Sequence, residues 1–163
     1  MLRLASDGLI VSRRRGWVVR EHSPKEIREV YEVRAVLEGF TARLAAQRAT
    51  DDELARIQQV NCECLSSLAD WDRGELVAHN DEFHEFVIAA ADNQLLAGLI
   101  HQNSQHYFMH RIAGFLSDDE VRDSIVGHRD LVEALSERDE DKAERAARAK
   151  VFESMRRSLD KLA

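Results

Sequence analysis

Asn80-Asp81-Glu82-Phe83-His84-Glu85-Phe86-Val87-Ile88-Ala89-Ala90 is the stretch that decides the fold. Phe83, Phe86, Val87 and Ala90 recur at the spacing of one helical face, so this segment is a helix with an apolar side turned to a core. Asn80 and His84 stand one turn apart, and so share a direction. A second stretch, Gly127-His128-Arg129-Asp130-Leu131, lies in another helical pattern that can pack against the first. A carboxamide and two imidazoles converging inside a helical body make either a metal site or a polar ligand pocket.

Working outward, the same period returns in Val30, Val33, Leu37 and Phe40, and in Leu54, Ile57, Cys64 and Leu65. Helix starts are written as capping boxes at Ser23-Pro24-Lys25-Glu26, Thr50-Asp51-Asp52-Glu53 and Ser117-Asp118-Asp119-Glu120. Pro24, the sole proline, falls in a first turn, where its missing N–H costs nothing. Asp139 is an N-cap for the last helix. These signals predict helices over 24–48, 51–71, 74–91, 93–115, 118–137 and 139–161. The connections are short, so neighbours pack antiparallel. The fold class expected is all-α, an antiparallel helical bundle over 23–163 preceded by a separate segment, 1–22.

The 163 residues suffice for one domain with a real core, and 44% hydrophobic against 33% charged residues excludes a disordered chain. No apolar run approaches the ~20 residues that cross a bilayer, and the N-terminus has no secretory pattern. Cys62 and Cys64 are two apart on a helix and face different ways, which reads as free thiols in a reducing cytoplasm. No Gly-rich phosphate loop, nucleophile elbow or His-Glu-x-x-His is present, so an enzyme is not expected. The net charge of −7 is uneven: residues 1–22 carry five arginines against Asp7 and Glu21, a net +3, and the rest carries −10. A basic head on an acidic body suggests that only the head meets a polyanion.

In that head, Leu9-Ile10-Val11 and Trp17-Val18-Val19 flank a turn over Ser12–Gly16, which reads as a hairpin. Arg13, Arg14 and Arg15, with the backbone at Gly16, are suited to phosphates or a minor groove; the plainer reading is a solvated turn. Leu2-Arg3-Leu4-Ala5-Ser6-Asp7-Gly8-Leu9-Ile10-Val11 followed by this hairpin resembles the end of the winged helix-turn-helix of GntR-family bacterial transcription regulators. The resemblance implies DNA contact through Arg13, Arg14, Arg15 and Gly16. It also implies helices ahead of Met1, including the start of the recognition helix. Without that base-reading face, this chain is expected to bind DNA weakly or not at all.

Further motifs extend the resemblance: Glu32-Val33-Arg34-Ala35-Val36-Leu37-Glu38, Ala42-Arg43-Leu44-Ala45-Ala46, Asn80–His84, Asp92-Asn93-Gln94-Leu95-Leu96, and His128-Arg129-Asp130-Leu131-Val132-Glu133-Ala134-Leu135. In order and spacing they resemble the FadR-like C-terminal effector-binding (FCD) domain of GntR regulators. This implies a bundle around a cavity that in many members holds a divalent metal, zinc- or nickel-like. The ligands there are an Asp or Asn and a His four apart, plus two later histidines. A small carboxylate often completes the coordination. Carried over, Asn80, His84 and His128 match the first three ligands, and the fourth falls on Lys150. A protonated lysine cannot ligate a cation.

Two readings stay open. Metal binds through Asn80, His84 and His128 with an open coordination position, or Lys150 supplies the positive charge. In the second reading Lys150 and Arg34, with His84 and His128, bind a carboxylate or sugar-acid effector directly. His84 and His128 as ordinary core histidines are the plain alternative. Arg34 resembles an arginine that faces the effector carboxylate; its plain reading is an ion pair with Glu38. His106 and His110, one turn apart, edge the pocket or the surface. The function implied is a ligand-responsive bacterial DNA-binding transcription regulator, cytoplasmic, homodimeric on palindromic DNA, with no membrane partner. The alternatives are a stand-alone metabolite- or metal-binding protein lacking a complete DNA-binding head, and a metal-dependent hydrolase.

Overall fold

The computed structural model describes residues 10–14, 16–19, 23–68, 70, 72–104 and 117–161. Two strands, β1 (Ile10–Arg13) and β2 (Gly16–Val19), pair antiparallel, with Arg13 opposite Gly16. Gly16 sits at φ 131, backbone that a residue with a Cβ rarely adopts, so the turn requires glycine there. The expected hairpin is present. The Met1–Gly8 helical fragment lies outside the described residues.

The body is all helix: α1 (Pro24–Arg48), α2 (Asp51–Ser66), α3 (Arg73–Ala90), α4 (Gln94–Ser104), α5 (Asp118–Val126), α6 (Arg129–Ser136) and α7 (Glu140–Asp160). All three expected capping boxes form, and a fourth joins Asp72 to Glu75. In each, the cap side chain accepts from the N3 backbone N–H while the N3 carboxylate accepts from the cap's own N–H. Asp139 caps α7 by accepting from the Lys142 N–H at 2.9 Å.

The face of α1 agrees with its sequence reading at Val30 and Leu37, which are half-buried against the core, and differs at Val33 and Phe40. Val33 and Phe40 are exposed, 51% and 46%, and Val36 is 57% exposed. The buried face is Ile27, Tyr31, Ala35, Gly39, Ala42 and Ala46. Small residues allow α7 to come close along this line: a Cβ on Gly39 would lie 2.5 Å from Arg148 Cγ. At one end of the seam Tyr31, Ile27, Ala35 and Val151 cluster. Ser158 donates its hydroxyl to the Ser154 carbonyl at 2.7 Å, so the buried 2.6 Å contact with Tyr31 is a hydrogen bond donated by the tyrosine. The larger core joins α2, α3, α5 and α6 through Leu54, Ile57, Leu76, Phe83, Ile125 and Leu135. Burying each such side chain stabilises by roughly 1.5–3 kcal/mol.

The expected single helix over 118–137 is two helices. α5 ends at Gly127 and α6 starts from His128, both near φ −70 and ψ −10. The His128 N–H donates to the Ile125 carbonyl at 3.0 Å, a tight turn inserted between α-helical bonds. α2 also stops earlier than expected, at Ser66, and residues 105–115 of the expected fourth helix lie outside the described set. No helix among the described residues is long and apolar enough to cross a membrane.

Tyr31→Phe removes the buried donor and leaves the Ser158 oxygen one bond short. We expect a loss of about 1 kcal/mol, read as a lower urea midpoint with unchanged slope. An unchanged midpoint would show that the Tyr31–Ser158 bond carries no net stability.

Candidate functional site

α3 and the α5–α6 joint bring the sequence-predicted residues together. Phe83, fully buried on α3, anchors the group. The His128 ring stacks on it at 4.2 Å and 9°, and the His84 ring meets His128 edge-on at 4.9 Å. His84 is on the same helix one residue after Phe83, so its ring reaches the phenyl edge at 5.5 Å. His128, at the joint, is 2% exposed.

Two polar atoms here have no hydrogen-bond partner among the described residues: Asn80 Oδ1 and His128 Nε2. Asn80 Nδ2 reaches Asp81 Oδ1 only at 3.5 Å. Burying such groups unpaired costs about 1–3 kcal/mol each. Burial pushes the His128 imidazole well below its ordinary value, and the neighbouring His84 and Lys150 push the same way. Burial also lowers His84, where Glu38 opposes it and Arg34 reinforces it. Both rings are therefore neutral at pH 7, with lone pairs free to accept or ligate.

Lys150, on α7, comes to the same place. Its stem lies on Gly127, where an added Cβ would meet Nζ at 2.5 Å and Cδ at 3.0 Å. The side chain is 19% exposed, and Nζ stands 3.6 Å from Glu153. Burial lowers the Lys150 ammonium and Glu153 partly restores it. Arg34 is committed: Nε donates to Glu38 at 2.8 Å, and the guanidinium lies 4.9 Å over the Tyr31 ring. Its charge is felt at His84, so it borders the site while paired to Glu38.

Against a divalent metal this donor set is a poor fit. Asn80, His84 and His128 are all neutral, and an ammonium lies beside His128 where a cation would be repelled. Among the described residues no group of three or more His, Cys, Asp or Glu is placed to hold a metal ion. His106 and His110 lie outside the described residues.

Sequence reasoning passed over Asn61 on α2, 5% exposed, whose Oδ1 also has no partner among the described residues. The signal was legible: Asn61 takes an apolar-face position in the run Leu54, Ile57, Asn61, Cys64. On the hairpin, Arg13 and Arg14 are exposed beside Gly16, and Arg15 lies outside the described residues.

The neutral histidines set a pH dependence. Unfolded, each titrates near 6.5; folded, each stays neutral to lower pH. Below about pH 6.5 the unfolded chain therefore takes up protons that the native one refuses, and stability falls as pH falls. We expect the urea midpoint to drop between pH 7.5 and 5.5, and to drop less in His128→Phe, which keeps the ring stacked on Phe83. Equal drops would show that His128 contributes none of the slope.

The comparisons with known proteins agree with this architecture. The model of the FCD domain family matches residues 29–151. The chain is 29% identical over 140 residues to the "Nta operon transcriptional regulator" of Aminobacter aminovorans, covering 85% of this chain and 65% of that protein. It is 29% identical over 143 residues to the "Galactonate operon transcriptional repressor" of Escherichia coli, covering 86% of this chain and 62% of that one. The chain thus spans less than two thirds of these curated relatives, which are named as regulators and not as enzymes. The fold of the solved E. coli McbR/YncC superposes at a TM-score of 0.81 and 19% identity, over 99% of this chain and 78% of that chain. With three quarters of its length matched by that family model, the chain belongs to the FCD domain family.

Proposed function

We propose that this chain is the ligand-sensing body of a bacterial DNA-binding transcription regulator, taking a small carboxylate or sugar-acid effector at Asn80, His84 and His128. The observation that carries this reading is the pair of buried polar atoms, Asn80 Oδ1 and His128 Nε2, without partners among the described residues. A ligand that satisfies them stabilises the conformation in which they are buried, and by linkage biases whatever that conformation is coupled to. Lys150 and Arg34 supply positive charge for an anion. A zinc- or nickel-like ion on Asn80, His84 and His128 is the other way to hold the same anion.

The regulators matched by sequence support a DNA partner. The hairpin supports it too: Arg13 and Arg14 are exposed at its turn, suited with Arg15 and the backbone at Gly16 to phosphate contact. Such contacts position a protein on DNA, and base reading needs a recognition helix as well. A homodimer is supported by the exposed apolar stripe Val33, Val36 and Phe40 on α1, with Phe152 exposed on the neighbouring α7.

The test is thermal melting against a library of small carboxylates and sugar acids, with and without added zinc or nickel. A true effector at about 100-fold above its Kd should raise the melting temperature by several degrees. Asn80→Ala and His128→Ala should lose that rise. A library with no hit under either condition would sink the effector reading. For the dimer, light scattering should show two chains in the parent and one in Val36→Glu; a dimer persisting in the variant would move the interface elsewhere.

A further inference from the structure

We propose that the Lys150 ammonium takes the place of a divalent cation in this chain, so that the Asn80–His84–His128 site excludes metal and holds a small hydroxy-carboxylate directly. The inference rests on the effector-binding reading above and specifies how the ligand is held.

Four observations carry it. Gly127 is a cradle: the lysine stem occupies the space that any side chain at 127 would fill. The ammonium is thereby set down at the α5–α6 joint, adjoining His128, and its charge is felt at both His128 and His84. Its carboxylate neighbour Glu153 pairs with it at 3.6 Å, on a side chain 39% exposed. One such partner leaves an ammonium, with three N–H groups, donors for another acceptor. The three remaining groups carry no negative charge, so nothing in the set offsets repulsion between a lysine cation and a metal cation.

The chemistry of the ligand follows from what is unpaired. A carboxylate accepts from Lys150 Nζ and from an imidazole N–H at His128 Nε2, which is 2% exposed and without a partner among the described residues. Asn80 Oδ1 is an acceptor and calls for a donor, which a carboxylate lacks. A hydroxyl on the same small molecule provides one. A hydroxy-carboxylate satisfies all three groups, whereas a simple fatty acid leaves the Asn80 oxygen unpaired.

The experiment uses zinc ion alone as its first probe. Zinc is titrated into the chelator-stripped chain and into Lys150→His, each with and without His84→Ala. We expect the parent to show no zinc binding that depends on His84. Lys150→His, which removes the ammonium and adds an imidazole, should bind zinc at least roughly tenfold tighter than the parent, and His84→Ala should cancel the gain. Stoichiometric, His84-dependent zinc binding by the parent overturns the proposal, and this arm needs no variant of Lys150 to fold.

The second probe is a panel of lactate, malate and gluconate at millimolar concentration, read by melting temperature in the presence of chelator. A rise in the parent that is lost in Lys150→Met supports direct binding. A rise that appears only when zinc is added overturns this inference and leaves the effector reading standing. No rise with or without zinc overturns both.

Discussion

The close approach of α1 and α7 is the constraint on which the rest of the body depends. These are the two longest helices among the described residues, and they meet along Ala35, Gly39, Ala42 and Ala46 on one side and Ala143, Ala147 and Val151 on the other. Residues this small bury little area each, so the seam gains mainly from contact density and from the polar groups that flank it. Tyr31 and Ser158 bond inside it, and Arg43 spans its edge to Glu140, Asp141 and Glu144. Lys150 belongs to the helix held this way. Its reach to Gly127 is therefore fixed by the packing of α7 and not by its own flexible stem. The site is assembled by three elements: α3, the α5–α6 joint and α7.

Most of this was readable before any coordinates. Capping boxes mark helix starts because their chemistry is local, and the three expected ones form. The convergence of His84 and His128 was also legible, since each lies in a clear helical pattern and the histidines mark the inward side. The face of α1 was misread in part, for a definable reason. Val33 and Phe40 are large, apolar and exposed, yet the buried side carries Ala35, Gly39, Ala42 and Ala46 beside Ile27 and Tyr31. A hydrophobic stripe is evidence of burial only when another helix is near enough to cover it, and here the covering helix comes in on the small side.

The break at Gly127 was not legible, because Asp118–Ser136 carries helical periodicity throughout. At the break the lysine stem of α7 lies where a side chain at 127 would be, and the His128 N–H bonds the Ile125 carbonyl in a tight turn. A glycine between two good helical runs is tolerated in a helix, and only its neighbour in space tells which outcome holds. The same joint explains why Lys150 falls opposite the histidines, a relation between residues far apart in sequence.

α7 is fastened at its ends by charge and along its middle by packing. At its start Arg43 gathers three carboxylates; at its finish Lys161 bonds Glu120 at 2.9 Å and Arg157 donates to the Glu120 carbonyl at 3.0 Å. The Glu120 carboxyl, held by the Ser117 backbone N–H and Lys161, sits at about 2 and stays ionised through any physiological range. Charged fastenings near solvent weaken with added salt, whereas an alanine seam does not. The two kinds of attachment thus answer to different solvents. Ionic strength loosens the tips of the helix that carries Lys150, and leaves the middle, where the lysine itself is rooted, in register with the histidines.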